Sequence, residues 1–338
     1  MSKPKHILVI RLSAMGDLSM TVPVIRAFSN QYPEVKITVL TRAFFNPFFR
    51  DLKNVTVFNA DVKGNHKGIF GLYKLSKELK QFNFDAIADL HNVLRSNILR
   101  SFLSVKQFAQ IDKGRAEKEA LVSGKIFQQL KTTQQRYADV FEQLGFKIDV
   151  SNPTFPKPAP LTKKLLEITK KEAKQCIGIA PFAAYRSKMY PLELMNEVIN
   201  VLAKDYHILL FGGGKDEVAQ LERLSDQFDN VINIAGKLTL DEEVDVISNL
   251  DVMLSMDSGN GHIAAILGIK VVSIWGVTHP FAGFLPFNHS LDSCLTADRT
   301  KFPKIPTSVY GNKYPKEYEL AIATISPNEI IVKVKSVL

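Results

Sequence analysis

The sequence contains little cysteine and no long apolar run. Its 338 residues include two cysteines, Cys176 and Cys294, which cannot build a disulfide framework and have no metal-ligating neighbours in the sequence. No apolar segment approaches the ~20 residues that cross a bilayer. The start, "MSKPKHILVIRLS", runs into "MGDLS" without a small-residue cleavage pattern and predicts a first strand, not a signal peptide. We therefore expect a cytosolic protein with free thiols.

Three fingerprints of nucleotide and metal sites are also missing. No G-x-x-x-x-G-K-[ST] motif occurs, and no G-x-G-x-x-G opens a helix after the first apolar run. These absences argue against nucleoside-triphosphate hydrolysis and against dinucleotide-dependent oxidoreduction. No D-x-D occurs anywhere, which disfavours a metal held by closely spaced carboxylates.

The excess of positive over negative charge is confined to the first half of the chain. Residues 1–156 contain 23 Lys and Arg against 13 Asp and Glu, whereas residues 157–338 contain 20 against 21. A basic half is either an ordinary solvated surface or a contact for a polyanion: nucleic acid, an anionic membrane or a phosphorylated glycolipid. Nucleic acid is disfavoured because the basic residues are dispersed and no aromatic-interleaved patch accompanies them.

Short β-branched runs alternate with helical patterns in both halves, which predicts two doubly wound α/β domains with parallel sheets. The predicted strands cover residues 6–12, 35–41, 54–60, 84–90, 106–111, 176–182, 207–213, 230–236, 251–257 and 270–276. The predicted helices cover residues 18–31, 69–81, 93–104, 192–205, 216–228, 241–250 and 259–267. The stretch "SNPTFPKPAPLT", residues 151–162, has four prolines and predicts a linker between the domains. Near the end, Ser326 can cap and Pro327 can open a closing helix.

Three loops of the second half follow predicted strands and could bind a ligand. In "DSGNGH", residues 257–262, Asp257 or Ser258 can cap a helix, Gly259 allows close approach of the backbone, and His262 could reach an anion. In "APFAAYRSKMYP", residues 180–191, two cations suit a diphosphate, Arg186 and Lys188. In "FGGGKDE", residues 211–217, Gly213 belongs to a Gly-rich loop at a strand end, and Glu217 could accept hydrogen bonds from a ribose or a base. Each loop could equally be an ordinary capped helix start with solvated side chains.

One loop of the basic half carries a similar cluster. In "DLHNVLRSNILRS", residues 89–101, a predicted strand is followed by Asp89, His91, Arg95 and Arg100. The cluster could capture an anionic acceptor, or its arginines could simply decorate an amphipathic helix.

Five stretches, taken in order, resemble glycosyltransferase family 9, the heptosyltransferases of lipopolysaccharide core biosynthesis. They are "ILVIRLSAMGDLSMTVPVIRAF", "DAIADLHNVLRSNILRS", "IAPFAAYRSKMYP", "LLFGGGKDE" and "SMDSGNGHIAAILGIKVVSIWGVTHP". The resemblance implies the GT-B architecture, two Rossmann-like domains facing a central cleft. Residues 1–155 would bind the acceptor and residues 156–325 the donor, and a helix in 326–338 would pack back toward the N-terminal domain.

The resemblance also implies the chemistry. Heptose would pass from ADP-heptose to an anionic lipid A–Kdo type acceptor, with inversion and without a metal or other cofactor. The enzyme would be cytoplasmic and peripheral to the inner face of the cytoplasmic membrane, and would bind no nucleic acid. Asp17 would be the general base that accepts the proton of the acceptor hydroxyl.

The resemblance further divides the remaining site residues into two sets. The donor set comprises Arg186, Lys188, Gly213, Glu217, Asp257, Ser258, Gly259 and His262. The acceptor set comprises Ser13, Gly16, His91 and Arg95.

The chain departs from the family pattern in two places. Ala183, Ala184 and Tyr185 stand where Ser or Thr usually precedes the lysine, and Asn260 and Gly261 replace two larger apolar residues. These departures concern the choice of sugar and nucleotide more than glycosyl transfer itself. Two other functions therefore stay open: a related nucleotide-sugar enzyme such as an epimerase, which needs no acceptor, and a non-enzymatic nucleotide-binding protein.

Overall fold

The computed structural model describes residues 3–170 and 174–338. The chain forms two compact units. The first comprises Met1–Lys113 and Thr133–Thr154, and the second comprises Gly114–Thr132 and Phe155–Leu338.

The first unit is built on a five-stranded parallel sheet with the strand order β3-β2-β1-β4-β5. Its strands are β1 (His6–Ile10), β2 (Lys36–Thr41), β3 (Val55–Asn59), β4 (Ala86–Asp89) and β5 (Gln107–Gln110). Ile10 pairs with Leu40 on one side and with Asp89 on the other. The near-continuous apolar strands β1 and β4 form the buried centre of the sheet, as parallel sheets covered on both faces require.

The second unit is built on a six-stranded parallel sheet with the order β11-β10-β9-β6-β7-β8. Its strands are β6 (Cys176–Ala180), β7 (His207–Leu210), β8 (Val231–Asn233), β9 (Val252–Met256), β10 (Lys270–Trp275) and β11 (Cys294–Thr296). The centre is again almost wholly apolar, and its core includes Ile179, Leu210 and Leu254.

Helices pack against the sheets, and most bury one apolar face. They are α1 (Met15–Ser19), α2 (Val22–Gln31), α3 (Gly68–Lys80), α4 (Leu94–Leu103), α5 (Arg115–Val122), α6 (Thr133–Gln143), α7 (Lys163–Thr169), α8 (Leu192–Leu202), α9 (Lys215–Ser225), α10 (Leu240–Ile247), α11 (Gly259–Ile266) and α12 (Pro327–Val337). Helix α11 is buried from Gly261 to Ile266. In the first unit α3 and α4 pack side by side over the sheet, through Leu72, Leu75 and Leu99. None of the described helices is long and apolar enough to span a membrane.

The predicted α/β class with two parallel sheets is confirmed, and all ten predicted strands exist. Most of them end one to three residues earlier than the apolar runs suggested. The apolar run overshoots because the residues after a strand leave the sheet but stay buried, as Arg11 and Leu12 do after β1. One predicted helix, residues 18–31, is two helices, α1 and α2, and Pro23 lies in the first turn of the second. Strand β11 and helices α5, α6 and α7 were not predicted.

The chain does not pass from one unit to the other once, as the sequence suggested, but three times. The segment Gly114–Thr132 belongs to the second unit, whereas α6 returns to the first. Within the second unit Leu121 and Leu130 pack against Ala282, and the Leu130 N–H donates to the Phe281 carbonyl at 2.9 Å. We expected residues 1–155 to form the first domain, but residues 114–132 belong to the second unit. Apolar contacts with residues distant in sequence hold them there.

The C-terminal helix begins where the sequence predicts and packs within the second unit. Ser326 caps α12, accepting a hydrogen bond from the Glu329 N–H, and Pro327 opens the helix. Ile330 and Val334 are buried in the core of the second unit, where α12 packs along α8. The apolar stripe of α12 therefore packs into the core of its own unit.

Candidate active site

Each sheet has one point at which the strand order reverses. It lies between β1 and β4 in the first unit and between β6 and β9 in the second. In open α/β sheets, ligands bind beyond the carboxyl ends of the strands at such points. The predicted site residues follow these four strands and their neighbours. Within the described residues, no three His, Cys, Asp or Glu side chains are grouped as metal ligands would be.

Arg11 follows β1 directly and orients Asp17. Its Nη2 lies 2.7 Å from Oδ2 of Asp17, and its Nη1 donates to the carbonyl of Leu90, after β4, at 2.7 Å. The guanidinium is buried and planar, so it can hold two acceptors in fixed directions at once. The loops after β1 and β4 are therefore linked, and the Asp17 carboxylate has a defined orientation.

The backbone around Asp17 is fixed as well. Asp17 lies in the short helix α1, whose Gly16 carbonyl accepts a hydrogen bond from Ser19 Oγ at 2.7 Å. Tyr137 of α6 donates its hydroxyl to the Asp17 carbonyl at 3.1 Å, and its ring centre lies 5.9 Å from the Arg11 guanidinium carbon. The Asp17 side chain nevertheless keeps 34% of its surface exposed. An oriented carboxylate open to solvent can accept a proton from an incoming hydroxyl.

His91 lies beside this loop as a neutral side chain. Burial, and secondly the charge of Arg11, lowers the pKa of His91 to about 4. The Leu12 N–H donates to Nδ1 at 3.4 Å, which leaves the proton on Nε2, 3.4 Å from Ser13 Oγ. The peptide bond between Ser13 and Ala14 is cis. His91 can thus offer a hydrogen bond to an acceptor at neutral pH, but no positive charge.

The other members of the first-half cluster have different surroundings. Asp89 is fully buried and accepts two backbone N–H groups of the following turn, at 2.8 and 3.0 Å. Arg100 lies 4.1 Å from the ring centre of Phe108. Arg95, in the first turn of α4, is exposed and makes no ion pair with any described residue. Asp89 therefore shapes the turn, and Arg95 is the cation available to an anionic ligand.

In the second unit, Lys188 and Asp257 form a nearly buried ion pair. Lys188 Nζ lies 2.9 Å from Oδ2 of Asp257, and the same oxygen accepts the Thr278 hydroxyl at 2.9 Å. The three residues follow β6, β9 and β10, which are neighbours in the sheet. An ammonium group has three hydrogens. The pair with Asp257 therefore positions Lys188 and leaves hydrogens for a phosphate.

A glycine in a distant loop sets the course of the Lys188 side chain. Ser187 donates its hydroxyl to the Gly311 carbonyl at 2.6 Å, and a Cβ placed on Gly311 would lie 2.7 Å from Cγ and Cδ of Lys188. Gly311 also has φ +83°, a conformation that favours glycine. The loop therefore packs directly on the lysine stem, which only glycine permits.

The N-terminus of α11 presents an unused hydroxyl. Ser258 is the N-cap residue, but its side chain makes no capping bond, and its Oγ is buried without a hydrogen-bond partner in the described part of the chain. Gly259 begins the helix, so its backbone N–H and those that follow have no partner within the helix. A helix N-terminus with a free hydroxyl favours an anionic group such as a phosphate.

The first turn of α11 packs tightly on β9. A Cβ on Gly261 would lie 2.4 Å from Ser255 Oγ, so the Ser255 side chain occupies the space of a larger residue. His262 follows as a buried residue of the same helix. Packing against Ser255 therefore explains why glycine stands at position 261 instead of the larger apolar residue of the family pattern. The structure does not explain Asn260.

Two further donor candidates are engaged by neighbours. The Gly213 N–H donates to Glu217 Oε2 at 2.7 Å, which fixes the carboxylate at the start of α9. Arg186 is largely exposed, and its Nε lies 3.0 Å from Glu319 Oε1. The two cations of the 180–191 loop are thus paired with different acids, and Lys188 is the buried one.

The model of glycosyltransferase family 9 (heptosyltransferase) matches residues 72–313, more than half of the sequence. The chain belongs to this family.

A curated relative agrees with this assignment, and two solved structures share the fold. The glycosyltransferase is 28% identical over 309 residues to the lipopolysaccharide core heptosyltransferase OpsX of Haemophilus influenzae, covering 87% of this chain and 84% of that protein. A family 9 structure from Veillonella parvula has a TM-score of 0.76 at 18% identity, covering 98% of this chain and 97% of that one. The Escherichia coli ADP-heptose LPS heptosyltransferase II has a TM-score of 0.70 at 19% identity, covering 98% of each chain.

Sequence reasoning missed several residues of this glycosyltransferase that position others: Arg11, Tyr137, Thr278 and Gly311. A signal existed for Arg11, because a charged residue directly after a buried strand needs a partner. Nothing in the sequence links Tyr137 or Gly311 to the site, since each reaches it from more than a hundred residues away.

Proposed function

We propose that this glycosyltransferase transfers heptose from ADP-heptose to the core of a lipopolysaccharide or lipooligosaccharide. The observation that carries the proposal is the Lys188–Asp257–Thr278 cluster beside the α11 N-terminus, with the unpartnered Ser258 hydroxyl. A fixed ammonium and a free helix N-terminus suit a nucleoside diphosphate. The names of the relatives support heptose as the sugar.

The donor is proposed to bind with its diphosphate between Lys188 and the α11 N-terminus, where Gly259 gives the backbone close access. Glu217, held by Gly213, would accept hydrogen bonds from the ribose, since its Oε1 bonds no described residue. His262 lies one turn into α11 and Arg186 on the outer side of the 180–191 loop, so both are assigned only supporting roles.

For catalysis we propose Asp17 as the general base of an inverting displacement. Its carboxylate accepts the proton of the acceptor hydroxyl while that oxygen forms the bond to the anomeric carbon. The bond from the anomeric carbon to the diphosphate breaks, and Lys188 with the α11 N-terminus stabilises the charge on the departing ADP. Since this charge is met by protein groups, we expect activity to survive a chelator such as EDTA.

The acceptor is proposed to bind in the first unit, beside Asp17. Ser13 and neutral His91 offer hydrogen bonds, Gly16 lies next to the proposed base in α1, and Arg95 offers a positive charge for an acidic acceptor of the lipid A–Kdo type. The basic character of residues 1–156 supports this assignment. We further propose that the enzyme works at the cytoplasmic face of the membrane as a peripheral protein.

The decisive experiment replaces Asp17 by Asn. We expect kcat to fall by about 10²–10⁴-fold because the proton acceptor is lost, while the Kd for ADP stays unchanged. Asp51→Asn is a matched control, since Asp51 pairs with Arg26 at 2.6 Å and its side chain is likewise 34% exposed. Equal losses in both variants, or full activity of Asp17→Asn, would refute the role of Asp17.

The assay also separates the alternatives. ADP-heptose is incubated with and without a Kdo-bearing lipid A acceptor, and ADP release and the anomeric configuration of the product are followed. Transfer requires the acceptor. Conversion of the nucleotide sugar alone indicates an epimerase-like enzyme, and the absence of ADP binding in calorimetry indicates a non-enzymatic relative.

A further inference from the structure

Helix α3 exposes large apolar side chains to solvent. Its buried face, with Leu72, Leu75 and Leu79, packs into the core of the first unit. On the opposite side, Phe70 is 90% exposed and Ile69 is 61% exposed. Single exposed apolar residues are common on protein surfaces, but two adjacent ones of this size suggest a contact surface.

The same helix face continues in aromatic and basic side chains. Tyr73 and Lys74 follow at positions i+3 and i+4 from Phe70, which places them on the same side of the helix. Tyr73 is about half exposed, and Lys77 Nζ lies 4.7 Å from its ring centre. We define the α3 face as the exposed side chains of this surface: Lys67, Ile69, Phe70, Tyr73, Lys74 and Lys77.

The charge of this region is strongly positive. Residues 61–80 contain five lysines against two acids, Asp61 and Glu78. Glu78 is turned toward His66, with Oε2 3.2 Å from Nε2. Lys67 and Lys74 make no ion pair with any described residue. Two uncompensated ammonium groups therefore flank the apolar side chains.

The start of α3 is held firmly, so the exposure of Phe70 does not come from a loose segment. Asp61 accepts the N–H groups of Gly64 and Asn65, both at 2.9 Å, and these bonds, that of Asn65 first, lower its pKa. The Asp61 N–H in turn donates to His66 Nδ1 at 3.0 Å. A Cβ on Gly71 would lie 2.4 Å from the His66 carbonyl carbon, so the loop packs closely against the first turn.

Helix α3, which carries the α3 face, packs beside helix α4, which carries Arg95 of the candidate acceptor set. Both helices begin on the side of the sheet where the parallel strands have their carboxyl ends. Leu94, the first residue of α4, is also largely exposed, and it precedes Arg95 and follows His91 by three residues.

We propose that the α3 face docks the enzyme onto an anionic lipid bilayer. Phe70 and Ile69 enter the boundary between headgroups and acyl chains, Tyr73 lies at headgroup level, and the lysines contact anionic headgroups. The docking orientation relative to the acceptor rests on the proposed function, but the binding itself does not. Charge complementarity favours a bilayer over a second copy of the chain, which would bring like charges together.

The test is sedimentation of the full chain with vesicles of phosphatidylethanolamine and phosphatidylglycerol. We expect the double variant Ile69→Ser/Phe70→Ser to bind at least about tenfold more weakly, because two large apolar side chains no longer leave water. Leu320→Ser/Val332→Ser is the matched control, since both residues are 59% exposed apolar side chains in the second unit. The control variant binds like the wild type.

A second variant tests the electrostatic contribution. The double variant Lys67→Gln/Lys74→Gln should bind anionic vesicles more weakly than the wild type. Added salt should reduce this difference in affinity, because it screens the charges of the lysines. Vesicles of phosphatidylcholine alone should bind the wild type poorly. The proposal is overturned if the wild type ignores anionic vesicles, or if neither double variant binds them less than the control. It is also overturned if the Ile69/Phe70 change converts a dimer to a monomer in solution, since the face would then be a subunit interface.

Activity measurements separate this inference from the proposed function. For acceptor embedded in vesicles, the Ile69/Phe70 variant should have a raised KM, and for a water-soluble, delipidated acceptor its kinetics should match the wild type. Vesicle binding through the α3 face without any glycosyl transfer would contradict the proposed function only. Glycosyl transfer by an enzyme whose vesicle binding does not depend on the α3 face would contradict the docking proposal only.

Discussion

Nη2 of Arg11 lies 2.7 Å from Oδ2 of Asp17, and Nη1 of the same guanidinium donates to the Leu90 carbonyl. A strand-end arginine thus holds the proposed base and ties together the loops after two adjacent strands. The negative charge of Asp17 is therefore balanced by the guanidinium of Arg11.

This arrangement predicts a large effect of Arg11→Lys. A lysine keeps the charge but cannot hold both acceptors in the fork geometry of a guanidinium, so the Asp17 carboxylate loses its orientation. We expect kcat to fall about 10-fold or more, with the Kd for ADP unchanged. Arg26→Lys, which alters the comparable pair with Asp51, serves as control. An unchanged kcat in Arg11→Lys would show that the ion pair does not position the base.

The Gly311 loop predicts an effect on donor binding from a distant backbone position. In Gly311→Ala the new Cβ meets the Lys188 stem and displaces Nζ, so the Kd for ADP should rise about tenfold, which corresponds to about 1.4 kcal/mol. Gly145→Ala is the control, because Gly145 has a similar φ of +91° but no atom within 4 Å of the added Cβ. Calorimetric titration with ADP measures both. Equal Kd values for the two variants would contradict the positioning role of Gly311.

The close contact of α11 with β9 predicts coupling between Gly261 and Ser255. Gly261→Ala should destabilise the wild type, because its Cβ would collide with Ser255 Oγ. In a Ser255→Ala background the obstructing oxygen is absent, and the substitution should be tolerated or stabilising through better helix propensity. Urea unfolding of the four proteins should give a coupling free energy of about 0.5–3 kcal/mol. If the two substitutions change the free energy of unfolding additively, α11 shifts away from β9 and the collision with Ser255 does not occur.

His279 predicts a dependence of stability on pH. Burial, and secondly the charge of Arg299, lowers the pKa of His279 from 6.5 to about 4. Between pH 6.5 and 4, His279 therefore takes up a proton in the unfolded state but stays neutral in the folded state. The stabilisation is fully present above pH 6.5 and is lost as the pH falls from 6.5 toward 4.

His279→Asn tests this directly. The His279 ring accepts the Phe281 N–H and caps the short helix Pro280–Ala282, a role that Asn can keep. We expect lower stability at pH 7, because the ring contacts with Phe127 and Phe281 are lost. Between pH 6.5 and 4, however, urea unfolding should show a smaller loss of stability than in the wild type. If the free energy of unfolding falls equally with pH in the variant and the wild type, groups other than His279 cause the loss of stability.

Much of the fold could be predicted because strands and helices follow local patterns. The apolar run 6–12 predicted β1, and Pro23 and the Ser326–Pro327 pair marked helix starts. The place of the segment Gly114–Thr132 in the second unit could not be predicted, because its packing partner Ala282 is distant in sequence. Strand β11 was missed because three half-buried residues leave no periodic signal.

The sequence by itself determined the α/β class, the family and the loops that carry the candidate site, since these depend on residue types in order along the chain. Only the tertiary structure decided which side chains meet. It paired Asp17 with Arg11 and Lys188 with Asp257, and it placed Gly311 against the lysine stem. The physical reason is that adjacent loops belong to strands that are neighbours in a parallel sheet and far apart in the chain, so their contacts depend on the packing of the whole unit.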